Sequence, residues 1–142
     1  MITTTRQDLL ATYPGTPTPI EEMWQATAPL PFIDWTKPSL IIYVSSPYSL
    51  GDQIANVRFA CEVGDNILAK GHIPFIPHLS HLWHFVSPKS YDEWLRIDKA
   101  FIPRCDALLR VGGESKGADM EVEFAKDNHI LVYYSLEEIH GE

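Results

Sequence analysis

The residues best placed to do chemistry lie in one stretch, Arg110-Val-Gly-Gly-Glu-Ser-Lys-Gly-Ala-Asp-Met-Glu121-Val-Glu-Phe-Ala125. It follows the short apolar run Ala107-Leu108-Leu109, passes three glycines and then takes on helical spacing. A strand, a glycine-rich turn and a helix start make a cradle for a polar or anionic ligand, because free backbone N–H groups meet the positive end of the helix dipole there. Glu121 is expected in about the first turn, where that field favours its ionised form. An ionised carboxylate beside a pocket is a nucleophile. Glu123 is the weaker candidate. Residues three and four apart share a helix face, so Glu121 goes with the small Ala118 and Ala125, while Glu123 points to solvent.

A second cluster is rich in histidine: His78, His81 and His84, with His72 nearby. Imidazole is a common metal ligand, but no carboxylate or cysteine completes a set, so no metal is expected. Cys61 and Cys105 lie within apolar patterns and show no C-x-x-C or zinc spacing. Two buried free thiols in a reducing compartment is the expectation.

The elements that must position these groups read as alternating strands and helices. Ser39–Val44 is a β-branched-rich first strand, followed by a loop through Ser46 and Tyr48. A helix spans Gly51 to Lys70, with Ile54, Val57, Cys61, Gly64 and Leu68 expected against the sheet and Gly71 as its stop. Ile73–Ile76 is a short strand whose Pro74 suggests an edge. Pro77 to Pro88 shows no clear period and is read as a loop. A helix from about Ser90 packs through Trp94, Leu95, Phe101 and Ile102. Strand Ala107–Val111, helix Ala118–Asn128, strand Ile130–Tyr134 and a last helical turn at Leu136–Ile139 complete the chain. Asp106, before the third strand, is expected to cap rather than react.

This alternation predicts an α/β fold, a flavodoxin- or Rossmann-like parallel sheet of about four to five strands flanked by helices. Ligands in such sheets bind beyond the carboxyl ends of the strands, which would join the Tyr43–Tyr48 loop to the Gly112–Glu121 turn. Residues 1–38 differ. They hold Pro14, Pro17, Pro19, Pro29, Pro31 and Pro38, and exclude long helices, yet carry Met23, Trp24, Phe32 and Trp35. They read as an extension that packs over the domain 39–142 or a neighbouring subunit, with one short helix near Pro19–Ala26.

The 142 residues carry a formal charge of −8 and 45% hydrophobic residues. That is the composition of an ordinary globular domain, and it argues against a nucleic-acid partner, which needs clustered Lys and Arg. No apolar run approaches membrane-spanning length and no secretory leader is visible, so a cytoplasmic protein without a membrane partner is expected.

Five motifs occur in order: Ile42-Tyr43-Val-Ser-Ser-Pro-Tyr48, Lys70-Gly71-His72-x-Pro74, Glu93-Trp-Leu-x-x-Asp98, Cys105-Asp106-Ala, and Ser115-x-Gly117-x-x-Met120-Glu121-x-x-x-Ala125. Over roughly residues 39–135 the sequence resembles the nucleoside 2-deoxyribosyltransferase superfamily, including its 2-deoxynucleoside 5-monophosphate N-glycosidase branch. The resemblance implies that Glu121 attacks C1 of a deoxyribose to form a glycosyl-enzyme, that Asp98 protonates or orients the departing base, and that Tyr43 hydrogen-bonds the nucleophile. It implies a sugar and base site formed by Ser46, Tyr48, Gly113, Ser115 and Gly117; the Pro77–Pro88 loop then reads as a wall or lid of the base pocket, with Trp83 or His81 packing on the base. Ser115 is either a phosphate contact or an ordinary helix cap. The loop after the first strand lacks the arginine of the monophosphate branch, which favours free nucleosides. The chain stops at Glu142 without the asparagine-bearing tail of the transferases, which cuts the other way.

The expected function is therefore exchange of nucleobases on 2-deoxyribose, with 2-deoxynucleosides and free nucleobases as substrates and no cofactor. A 2-deoxynucleoside (5-monophosphate) N-glycosidase or a non-catalytic nucleotide-binding module on the same fold are the alternatives. The resemblance also implies a homo-oligomer.

Overall fold

The computed structural model describes residues 37–141. The extension up to residue 36, including the short helix expected near Pro19–Ala26, lies outside the described residues. β1 (Ile41–Ser45), β2 (Ile73–Phe75), β3 (Ala107–Arg110) and β4 (Leu131–Tyr133) form one parallel sheet in the order β2-β1-β3-β4. Ile42 pairs with Pro74 on one side and Ala107 on the other, and Leu108 pairs with Val132. Pro74 sits on an edge strand, where a missing N–H costs no ladder bond. Strand order reverses at β1, since the chain adds β2 on one side and then β3 on the other.

The connections are α1 (Gln53–Ala69), a 3₁₀ turn (Pro77–Ser80) running into α2 (His81–Val86), α3 (Tyr91–Phe101) with a 3₁₀ turn (Ile102–Arg104), and α4 (Lys116–Asp127). A 3₁₀ turn at Leu136–Glu138 follows β4. Each long helix starts on a cap the sequence supplies. Asp52 accepts from the N–H groups of Ile54 and Ala55, Ser90 and Glu93 form a reciprocal capping box, and Ser115 accepts from Ala118. The Asp106 carboxylate accepts from the Ile41 N–H at 2.8 Å and secures the start of β1.

Period-two alternation along β1 divides the core. Ile42 and Val44 face α1 with Ala60, Val63 and Ile67, while Tyr43 faces α4 with Leu108, Val122 and Ala125. The α1 stripe lies one residue off the expected one. Ala60, Val63, Gly64 and Ile67 are buried, whereas Ile54 is 64% exposed and Cys61 half-buried. The helix is rotated because Gly64 permits a close approach: a Cβ there would stand 2.6 Å from the Ile76 side chain. Cys61 is accordingly not the buried thiol expected of it, whereas Cys105 is buried; both are free. The second correction is at Pro77–Pro88. It is helical through most of its length rather than a loop. Among the described residues, no helix is long and apolar enough to cross a membrane.

Candidate active site

The strand-order reversal leaves a crevice beyond the carboxyl ends of β1 and β3, and a cavity of about 510 Å³ occupies it. That volume suits a ligand the size of a nucleoside or small nucleotide. Its floor is Glu121, with Ala118 and Ser115 from the same helix, and one wall is Asp98 with Trp94 from α3. The opposite wall comes from the β1–α1 loop through Ser46 and Tyr48, and the remaining side from His78 and His84.

Glu121 lies in the second turn of α4 rather than the first, and it is only 9% exposed. The Tyr43 hydroxyl donates to its Oε2, and Ser45 Oγ stands 3.2 Å from its Oε1 and 3.3 Å from the Ala118 carbonyl. Tyr43 is itself fully buried and stacked on Phe75, so its hydroxyl is held against the carboxylate rather than reaching water. Burial, followed by the charges of Glu121 and Asp98, pushes the Tyr43 hydroxyl well above its ordinary value; it stays protonated and remains a donor. Ser45 was not singled out from the sequence. The signal was present, since Ser45 lies two residues after Tyr43 and must share its face of β1.

The helix-start field, expected to favour the ionised form of Glu121, is outweighed. Burial raises its carboxyl to about 7, the Tyr43 hydrogen bond opposes the rise, and the Asp98 charge adds to it. Loss of hydration outweighs the helix field because Glu121 is deep behind the first turn, where the dipole has faded. Asp98 is raised to about 6, also by burial. Two carboxyls with elevated affinity for protons thus share one cavity. Together they hold one proton across the interval between those values, mostly on Glu121, whose value is the higher; the form with the anion on Glu121 and the proton on Asp98 is the minor one, and the Tyr43 and Ser45 hydroxyls hydrogen-bond that anion.

Arg110 braces the glycine turn. Its guanidinium donates to the carbonyls of Val111 (2.7 Å) and Gly113 (2.8 Å) and to Asp119 (3.2 Å), and its charge works to lower Glu121. Gly112 has φ +85°, and a Cβ there would meet Pro47 at 2.7 Å, so only glycine lets the two loops touch. Ser115 is a helix cap, and its bond to Ala118 leaves the N–H groups of Lys116 and Gly117 without an acceptor among the described residues.

The expected residues divide between the cavity and its surroundings. Glu121, Asp98, Ser46, Tyr48, Ser115 and Gly117 line the cavity, with Tyr43 behind Glu121. Gly113, His81 and Trp83 do not line it. The Gly113 carbonyl is held by Arg110, His81 is hydrogen-bonded to the Tyr48 hydroxyl at 2.6 Å, and Trp83 packs edge-on against Trp94 under the Lys89 ammonium. Helical phase explains the exchange: Ser80 and His84, four apart, face the cavity in place of His81 and Trp83. His84 Nδ1 accepts from the Trp94 indole at 2.7 Å. His78 stays neutral because burial lowers its affinity for protons, and its Nε2–H faces the carbonyls of Ser46 and Pro47. Asn56 donates to the carbonyls of Tyr48 and Leu50, which completes a loop fixed before any ligand arrives. Glu123 is a surface charge beside Lys126. Among the described residues, no three His, Cys, Asp or Glu side chains converge as a metal set.

A family model described as Domain of unknown function (DUF7768) matches residues 40–135, which span the whole sheet and every cavity-lining residue. Among curated proteins, none matches the chain.

Proposed function

The chain belongs to the DUF7768 family, and we propose that this member is a nucleoside 2-deoxyribosyltransferase acting through a covalent glycosyl-enzyme on Glu121. The observation that carries the reading is a buried glutamate on the floor of a nucleoside-sized cavity, hydrogen-bonded by Tyr43 and Ser45 and sharing that cavity with a second, half-buried carboxyl, Asp98. In the reactive form Glu121 is the anion and Asp98 holds the proton. A Glu121 oxygen bonds to C1 of the deoxyribose as the bond from C1 to the base nitrogen breaks. The Asp98 proton goes to the departing base, which leaves neutral. A nitrogen of a second base then attacks C1, the ester bond to Glu121 breaks, and Asp98 recovers a proton. Two inversions give net retention. Tyr43 keeps the carboxylate in one rotamer throughout, and Tyr48 and Trp94 offer aromatic surface to the base. No cofactor enters the scheme, and the substrates are 2-deoxynucleosides and free nucleobases. A cytoplasmic homo-oligomer is the proposed setting.

One observation favours a second reading. Lys89 and Lys116 line the cavity together with Ser115, and the N–H groups of Lys116 and Gly117, without an acceptor among the described residues, lie at the helix start. These groups suit a 5-phosphate, supplying the positive charge that the β1–α1 loop lacks. With water as acceptor the same carboxylates would make a 2-deoxynucleoside 5-monophosphate N-glycosidase.

Incubation with deoxyinosine and adenine, and in parallel with deoxyinosine 5-monophosphate, separates the readings. Deoxyadenosine formation identifies the transferase, free deoxyribose 5-phosphate the hydrolase, and binding without turnover a non-catalytic module. A deoxyribosyl adduct on the peptide containing Glu121, absent from Glu121→Ala, is expected by mass spectrometry. Full turnover by Glu121→Ala would end the proposal.

A further inference from the structure

His84 receives two hydrogen bonds at one ring nitrogen. The Trp94 indole N–H donates to Nδ1 at 2.7 Å, and the Lys89 backbone N–H donates to the same atom at 3.2 Å. An indole nitrogen and a peptide nitrogen only donate, so Nδ1 must be the bare acceptor and the ring hydrogen sits on Nε2. That Nε2–H has no acceptor among the described residues. It is also open, since the one buried side-chain nitrogen or oxygen without a partner there is His78 Nδ1. His84 is half-buried, lines the cavity and stands edge-on to Trp94, with ring centres 5.8 Å apart. A donor of settled sense therefore borders the space that the proposed chemistry gives to the base.

Its neighbours narrow what it can read. Trp94 and Asp98 are one turn apart on α3 and both line the cavity. His84, bonded to Trp94, thus sits about one helical turn along the wall from the carboxyl that gives up its proton. Ser80, one turn before His84, carries a hydroxyl that donates or accepts equally and so does not discriminate. A base seated against this wall meets two donors, the His84 Nε2–H and the Asp98 O–H. A 6-oxopurine offers two adjacent acceptors, N7 and O6, whereas adenine offers N7 beside an amino donor.

We propose that His84 is the base-reading residue of this site, its Nε2–H donating to the exocyclic oxygen of a 6-oxopurine while Asp98 addresses the adjacent N7. Hypoxanthine and guanine are then taken and adenine is disfavoured. Adenine sets amino hydrogens against the imidazole N–H and leaves that donor unpaired, which lowers its affinity by about tenfold or more. The inference rests on the deoxyribosyl-transfer reading of the cavity and names the bases handled there.

Binding, measured apart from turnover, tests it. Isothermal titration of Glu121→Gln, which cannot form the sugar ester, compares deoxyinosine, deoxyadenosine and purine 2-deoxyriboside, which lacks the exocyclic group. Deoxyinosine should bind at least about tenfold tighter than deoxyadenosine, with the unsubstituted purine between them. Adding His84→Phe should weaken deoxyinosine by about tenfold and level the three. Adding His84→Gln should restore part of the preference, because its amide both accepts from Trp94 and donates to the base. A purely structural role for His84 would weaken all three ligands alike in both variants, and that result overturns the proposal. So does a deoxyinosine preference that survives His84→Phe. Equal binding of deoxyinosine and deoxyadenosine with His84 in place overturns the inference with no second substitution needed, and leaves the Glu121 chemistry standing. Failure of all three to bind overturns both.

Discussion

The chemistry of this cavity depends on a balance struck at one carboxyl. The position of Glu121 was legible in the sequence because helical spacing set it with Ala118 and Ala125, both of which are buried beside it. Its protonation was not legible, since that depends on how much water the fold removes, and the fold removes nearly all of it. The consequence is a specific pH dependence. If Glu121 must be ionised and Asp98 protonated, activity requires one proton shared by the pair. kcat/KM for the proposed reaction should then peak between about pH 6 and pH 7, set by the raised values of Asp98 and Glu121. It should fall about tenfold per unit on each side. Asp98→Asn should abolish the alkaline limb and lower the rate. It should also move the acid limb to lower pH, because the Asp98 charge helps to raise Glu121. Initial rates from pH 4.5 to 9 check this, and a flat profile in the native enzyme would refute the shared proton.

At the scale of elements, the sequence was most readable where capping chemistry marks an end and least readable where apolar residues point outward. Gly71 ends α1 as expected: it takes φ +86°, its N–H donates to the Leu68 carbonyl, and the His72 N–H donates to Ile67. Pro77–Pro88 hid its helix because periodicity is read by assuming that apolar residues face a core, and here they face solvent. The end of α4 repeats the α1 arrangement with a less suitable residue. His129 adopts φ 60°, its N–H donates to Lys126 and the Ile130 N–H to Ala125. A residue with a Cβ pays about 1–2 kcal/mol for this conformation, part of which a flexible glycine returns through the unfolded chain. The His129 side chain is exposed and adds no buried contact. His129→Gly should therefore stabilise the protein by about 0.5–1 kcal/mol, read as a higher urea midpoint at unchanged slope. An unchanged or lower midpoint would show that the imidazole contributes more than its exposure suggests.

At the scale of the whole molecule, the alternating pattern gave the parallel α/β sheet directly, and β1 and β3 came together as expected. The strand order followed from packing that no single segment reveals. That packing buries a carboxyl in the centre of the fold, and stability must answer for it. Most proteins lose stability as acid protonates carboxylates that the native state holds ionised. Glu121 works in the opposite sense. Its carboxyl has an ordinary value of 4.5 and about 7 in the folded chain, so between those values the unfolded chain sheds a proton that the native state keeps. The contribution is fully present below pH 4.5 and is lost as pH rises through about 7, amounting to on the order of 3 kcal/mol. Glutamine keeps an acceptor for the Tyr43 hydroxyl, turns an amide N–H donor toward Ser45 Oγ and never ionises. Glu121→Gln should thus match the native protein near pH 4 and exceed it by about 2–3 kcal/mol at pH 8, while losing the proposed activity. Denaturant melts of the two proteins at pH 4, 6 and 8 decide the point. A constant difference across that range would mean that Glu121 is ionised in the native state throughout, with the Tyr43 and Ser45 hydrogen bonds outweighing its desolvation.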